Sequence, residues 1–319
     1  MMPRGDETIS GPRQLEFADL KQETAFGTAI AGTGQTAIPW ESYAVEQTQA
    51  VEVRAKMTGF IDNVNVDGAG LDVAGSAEAE IHPDNATFLM KTLTGIPRVT
   101  FNGNPQDVPT FTHRFYDVAQ ANYFRHVSLK CNGVTFACAG PNGELKATYD
   151  FMAQLEEPVA SFSQPSLPDQ ASFQMRHAWA SGASLIKVAD IAEPNCENFE
   201  VAVTNGLRLG ERRNDSGYRV AIDPGTREST VTMGLRGDKG TWAVDYDGLL
   251  RGQNTGTKLR FEFNYPGTGS PVDTVVIECI RAVIATCPRQ GGPKDVATKN
   301  TTWTCKRSPS QDDVLITIT

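Results

Sequence analysis

Residues 75–102, GSAEAEIHPDNATFLMKTLTGIPRVTFN, decide how the rest of the chain is read. From Gly75 to Ile81, Ala77, Ala79 and Ile81 alternate with Ser76, Glu78 and Glu80, the period of two expected of a half-buried strand. Pro83 suits the first turn of a helix, and Asp84 sets a carboxylate at the positive end of the helix dipole. Ala86, Leu89, Met90 and Leu93 then recur at i, i+3, i+4 and i+7, an apolar stripe down one helical face. Gly95 ends the helix and Pro97 prevents its resumption, so the spacing predicts a helix over 83–94. Arg98 to Phe101 begins another strand. A lone helix in a strand-rich chain can bury such a stripe only against a sheet.

Outward from this stretch, the same order recurs about half a chain later. STVTMGL (229–235) reads as a strand. Tyr246, Leu249 and Leu250 give a shorter helix over 245–251, closed by Gly252, and TKLRFEF (257–263) is an alternating strand. Gly248 weakens that second helix by about 1 kcal/mol relative to alanine and has no counterpart in the first. The pattern predicts a duplicated unit.

Composition sets limits on function. The 319 residues are 39% hydrophobic and 21% charged, with 29 glycines and 18 prolines, which describes a globular chain of short strands and many turns. A net charge of −9 argues against a protein that grips nucleic-acid phosphates. No apolar run reaches the ~18 residues of a membrane span, and MMPRGDETISGPRQLEF has no apolar core of a signal peptide, so a cytoplasmic chain is expected. Its six cysteines, Cys131, Cys138, Cys196, Cys279, Cys287 and Cys305, then read as reduced thiols. Cys131 and Cys138 would point to opposite faces of one straight strand.

In chain order, residues 1–50 are poor in large apolar side chains. Phe26, Ile38 and Trp40 are the scattered anchors of an expected extended N-terminal arm, needed for contacts between subunits and dispensable for folding. A first unit spans 51–155. Within it NVNVDGAGLD (63–72) places Asn63, Asn65, Asp67 and Gly68 at calcium-loop positions, but position 1 lacks Asp and Ala74 stands where a bidentate Glu is required. A glycine-rich turn is expected there. Residues 104–121 read as a polar connection, and YFRHVSLKC, GVTFACA and ELKATYDFM as three strands within 122–153. The proline-rich stretch 155–170 supplies a linker at 156–170. A second unit, 171–319, holds strands at 198–209, 273–284, 298–307 and 313–319, the last expected to pair within a sheet or across a subunit boundary.

No nucleophile elbow, phosphate loop, dinucleotide fingerprint or zinc-protease motif occurs. His82, His113, His126 and His177 are scattered and read as structural. The sequence therefore offers no catalytic residue, no cofactor-binding residue and no metal ligand, and predicts no enzyme and no cofactor.

Several stretches taken together resemble the major tail tube proteins of long-tailed, siphovirus-type bacteriophages: ETAFGT near the start, GSAEAEIHPDNATFLMKTLTG, PTFTHRFY, YFRHVSLKCNGVTF, GELKATYDFMAQ, NFEVAVTNGL, DTVVIECIRAVI and DVLITIT. The resemblance covers nearly the whole chain and rests on order and spacing. It implies a mainly β fold of two tandem β-sandwich or half-barrel modules, each with one short helix, whose inner strands join a ring-wide β-barrel. It implies a structural virion protein assembled in the host cytoplasm, self-assembling into stacked rings that conduct the genome, with tail terminator, tape measure and distal tail proteins as partners. DNA would pass the lumen without specific binding, consistent with the negative charge, and no membrane is involved. Two units per chain predict a homotrimeric ring of pseudo-sixfold symmetry, with a homohexamer as the alternative. A viral head-completion, capsid or decoration protein of β-sandwich fold is the alternative function, and a secreted β-sandwich enzyme a more distant one.

Overall fold

The computed structural model describes residues 15–30, 36–54, 65–96, 100–101, 104–105, 108–139, 145–162, 186–192, 196–236, 256–264, 274–286, 289–290, 298–306 and 312–319. The first half runs β1 (Leu15–Gln22), β2 (Thr36–Ala37), β3 (Ser42–Arg54), β4 (Asn65–Glu80), a helix, the small hairpin β5 (Thr100–Phe101) and β6 (Asn104–Pro105), then β7 (Phe111–Asp117), β8 (Asn122–Ala139), β9 (Lys146–Ala153) and β10 (Leu155–Pro158). The second half runs β11 (Ile186–Val188), β12 (Ile191–Ala192), β13 (Cys196–Thr204), β14 (Arg208–Leu209), β15 (Ile222–Asp223), β16 (Glu228–Arg236), β17 (Thr257–Asn264), β18 (Thr274–Thr286), β19 (Arg289–Gln290), β20 (Thr298–Cys305) and β21 (Val314–Ile318). The molecule is mainly β, and one large antiparallel sheet system contains all but four of the short strands.

The helix forms where the sequence places it. Pro83–Ala86 is α-helical and Thr87–Thr92 continues as a wider π turn, in which the Leu93 N–H reaches the Phe88 carbonyl at 2.8 Å. Asn85 Oδ1 accepts from the His82 N–H at 2.8 Å and so satisfies a donor at the helix start. Gly95 closes the following turn at φ +66°. Ala86, Leu89, Met90 and Leu93 are buried without residual exposure, and the Tyr149 hydroxyl from β9 donates to the Leu89 carbonyl.

The strands pair in one order, twice. In the first half β2 joins β1, β1 joins β7, β7 joins β8, β8 joins β10 and β9, β9 joins β4, and β4 joins β3. In the second, β12 joins β11, β11 joins β17, β17 joins β18, β18 joins β21 and β20, β20 joins β16, and β16 joins β13. The irregularities repeat too. The pairing of β8 with β7 shifts between Phe111 and His113, and that with β9 between Cys131 and Gly133. The pairing of β18 shifts between Thr257 and Leu259 on β17, and between Ile284 and Thr286 against β20. Bulges fix where a strand bends and re-aims its side chains, so both long strands bend at matching places.

Each long strand thereby serves two layers. The first part of β8 belongs with β1, β7 and β10, and its second part with β9, β4 and β3. Tyr43 of β3 packs at 4.7 Å from His113 of β7, a strand it does not pair with, so this contact crosses between layers. In the second half Phe199 of β13 stacks on Phe261 of β17 at 4.4 Å in the same way. β13 also pairs with β8, Gly133 opposite Thr204 through Ala139 opposite Asn198, and this joins the two halves into one sheet.

Several expectations change. Residues 15–30 and 36–50 are no detached arm. β1 is laid along β7, and Leu20, Ile38 and Tyr43 are in the core; sparse anchors suffice because the neighbouring strands supply the rest of the packing. The polar connection at 104–121 contains β7, with Phe111 and Phe115 buried. YFRHVSLKC and GVTFACA form one continuous strand, β8. Residues 65–72 lie inside β4 and not in a turn. Residues 155–158 of the expected linker form β10 against β8. Cys131 and Cys138 are both buried, because the register shift after Cys131 changes the parity between them. The second helix expected at 245–251 lies outside the described residues, as do 163–185.

Candidate functional site

The broadest feature that the chain presents is the open face of its eight-stranded layer, in the order β3, β4, β9, β8, β13, β16, β20, β18. Successive side chains in a strand point to opposite faces, so rows across the layer alternate between inside and outside where no register shift intervenes. One row, Tyr43, Ala77, Tyr149, Val134, Val203, Ser229, Cys305 and Ala282, is buried from end to end. The next row, Ser42, Glu78, Thr148, Thr135, Ala202, Thr230, Thr304 and Val283, is half-buried or exposed throughout.

The open face is built from small and hydroxylic residues with carboxylates set among them. Glu46, Glu78, Glu80, Asp150, Glu200 and Glu228 lie on it. Lys146 is held by Glu41 at 2.7 Å and lies 3.8 Å from Glu78. Those hydrogen bonds and charges, against a desolvation cost, raise the Lys146 pKa, so it stays an ammonium. Asp72 at the edge of the face receives Arg219 at 2.7 Å and Arg213 at 3.1 Å from the β13–β16 connection. The Arg219 hydrogen bond leads in holding the Asp72 carboxyl below its usual range. Among the described residues such a surface offers an anionic polymer small neutral side chains and repulsive charge, with no cluster of exposed cations to hold phosphate.

The sequence allows His113 and His126 to be brought together by folding but places no recognisable partner beside them; the structure joins the two and supplies the partners. The Trp40 Nε1–H donates to His113 Nε2 at 3.1 Å, His113 Nδ1 lies 3.0 Å from the Tyr43 hydroxyl, and that hydroxyl lies 2.7 Å from His126 Nδ1. His126 Nε2 is 2.7 Å from Glu156 Oε2. Indole N–H only donates, so His113 Nε2 accepts. With both rings neutral, protons on His113 Nδ1, the Tyr43 oxygen and His126 Nε2 give every link one donor and one acceptor. Both rings are fully buried. The chain links β3, β7, β8 and β10 across the layers and fits a structural pin. No sequence spacing announces it, because its members are spread over more than a hundred residues.

Among the described residues no group of three or more His, Cys, Asp or Glu is arranged to hold a metal ion. Asn65, Asp67 and Gly68 of the calcium-like stretch pair in β4 with Arg54, Glu52 and Val51. No helix among the described residues is long and apolar enough to cross a membrane.

A comparison with curated proteins finds no match. A family model described as phage tail tube protein matches residues 20–305, nearly the whole layered structure. The chain therefore belongs to the phage tail tube protein family, a structural component of the virion tail.

Proposed function

We propose that three copies close into one ring of the tail tube, each copy giving its two halves as neighbouring wedges, and that the open acidic face lines the bore. The pairing order that occurs twice in one chain carries this reading. A chain with two equivalent wedges needs half as many copies as a chain with one. Eight strands per copy in a closed barrel of three copies, at about 4.8 Å per strand and a tilt of about 40°, give a backbone diameter of roughly 48 Å. Six copies would double it.

The role is mechanical. Rings stack, and the genome slides past a face that does not bind it. The tail terminator, tape measure and distal tail proteins are the expected neighbours at the tube's ends and within its bore. No catalytic step is assigned to the chain. Electron microscopy of assembled tubes tests the ring: three chains per layer with six similar inner lobes supports it, and six chains per layer with one inner lobe each refutes it.

A further inference from the structure

We infer that the first half carries an acid-sensitive lock: the buried chain from Trp40 through His113, Tyr43 and His126 to Glu156 closes only while His113 is neutral, so acid frees the two layers of that half from each other and leaves the second half closed. It is a property of the single chain, whatever ring the copies form.

The lock has one arrangement of protons. The Trp40 indole can only donate, and it donates to His113 Nε2. His113 therefore keeps its proton on Nδ1 and gives it to the Tyr43 oxygen at 3.0 Å. The Tyr43 hydroxyl gives its own proton to His126 Nδ1 at 2.7 Å, and His126 Nε2 donates to Glu156. A second proton on His113 can go only to Nε2, where it would face the indole N–H. The link from Trp40 to β7 then turns from attraction to repulsion, around a ring with no exposure to water, where an imidazolium is costly.

The surroundings, among the described residues, set the sign. β1 puts Leu20 opposite His113, with Asp19 on the other face and held by Arg114 at 2.7 Å. β3 brings the Tyr43 ring to 4.7 Å, and β7 itself brings Phe115 to 5.3 Å. β8 gives His126, with Arg125 on the other face and bound to Glu157 of β10 at 2.6 Å. β9 gives Tyr149 and Phe151, edge-on to Trp40. Glu23 is engaged by Thr112 and Ser128. Glu156 favours a second proton at the far ring, His126, and the Tyr43 hydroxyl opposes it there by occupying Nδ1. An imidazole that the fold keeps neutral takes its second proton in the open state, so stability falls as pH drops below the ordinary histidine value of about 6.5. The opening constant should rise about 25-fold between pH 7 and pH 5. Burial raises the Asp19 carboxyl, an effect of opposite sign. In the second half Leu259, Cys279 and Val314 stand at the places of His113, His126 and Glu156, and Phe199 at that of Tyr43, so the matching cluster has no imidazole to protonate.

Hydrogen exchange of the full chain at pH 7 and pH 5, corrected for the intrinsic rate, tests the lock. Amides of β1 and β7 should show about 25-fold more opening at pH 5, and those of β17 and β18 less than about threefold. An equal rise in both halves, or none in the first, overturns the inference. Trp40→Phe with Tyr43→Phe and His113→Leu gives the first half the apolar solution of the second and should remove the rise; a rise that survives it belongs to another group and overturns the role of His113. Should that variant not fold, nitrogen NMR of the histidine rings in the unmodified chain decides. His113 should stay neutral at pH 5 with its proton on Nδ1, and a ring that takes a second proton above about pH 6 overturns the lock.

Discussion

The corner of β8 should fail if Glu23 is truncated. Ser128 sits at the bend with φ +54°, a conformation a non-glycine residue adopts at a cost of order 1–2 kcal/mol. The Glu23 carboxylate holds it there. It accepts the Ser128 N–H at 2.9 Å, the Ser128 hydroxyl at 2.7 Å and the Thr112 hydroxyl at 2.7 Å. Ser128 Oγ in turn accepts the Gly27 N–H, so the same residue ties down the segment after β1. Ser128 and Thr112 have no exposure and Glu23 only 6%. In Glu23→Ala the two hydroxyls can rotate toward other acceptors, but the Ser128 N–H cannot. A stranded buried donor costs about 1–3 kcal/mol, and hydrogen bonds to a charged group contribute about 1.5–3 kcal/mol each. Removing a buried charge offsets part of this, leaving a net loss of about 3 kcal/mol. At about 2.1 cal/mol/K per residue, a chain of 319 residues should melt about 4–5 °C lower. Urea unfolding of the unassembled chain measures the loss, and a cycle with Ser128→Ala should show a coupling of about 1 kcal/mol or more. A change within 0.5 kcal/mol, or strict additivity, would refute the assignment of Glu23 as the corner's anchor.

Deleting residues 1–40 removes β1, β2, Glu23, Trp40 and the buried Leu20 and Ile38, each apolar side chain worth about 1.5–3 kcal/mol; loss of the cooperative melt by circular dichroism is expected, and a retained one would show the segment to be dispensable after all. Six reduced cysteines are expected in the native protein: thiol titration after denaturation without reductant should recover all six, with slow native reaction at pH 8, since burial pushes the Cys138 thiol up to about 11 and that of Cys131 higher still. Asp72→Asn should release the β13–β16 connection, read as faster amide exchange at Leu71, whose N–H is bonded to Gly217. Because Asp72 is held below its ordinary pKa, its contribution is present above about pH 4 and is lost as pH falls through the lowered value; unchanged exchange in the variant would mean that the arginines do not hold the connection.

What was legible in the sequence was what repeats at short range. The helix and its buried stripe follow from spacing within a dozen residues, as do β16, β17 and β18. What was not legible depends on partners far along the chain. The 1–50 segment looked coreless because Leu20 and Ile38 lie among polar neighbours, while their packing comes from later strands. β7 was hidden because it buries Thr112, His113 and Asp117 as well as Phe111 and Phe115, which blurs the alternation a strand normally shows. The parity of Cys131 and Cys138 turned on one bulge. The open face had no motif to find, since its signature is a row of small and acidic side chains visible only after eight strands are aligned.

The pin in the first half explains why the duplication is written so faintly in the sequence. By strand register, the pair His113–His126 matches Leu259–Cys279, and the pair His126–Glu156 matches Cys279–Val314. Tyr43 occupies on β3 the place of Phe199 on β13. A hydrogen-bonded chain in one half is thus a cluster of Phe199, Leu259, Cys279 and Val314 in the other; these four are buried, as are Tyr43, His113 and His126, while Glu156 is half-buried. Either solution satisfies the interior: a polar group needs partners there, and an apolar one needs only contact. Side-chain chemistry at these positions is therefore free to diverge, provided it does so as a set. The strand order and the placement of the bulges are not free in that way, because one slipped register would turn every core residue of a strand outward. The repeat survives in backbone pairing and is lost from residue identity. That is the outcome expected when the two halves must keep a strand pairing with each other, while each packs its own interior independently.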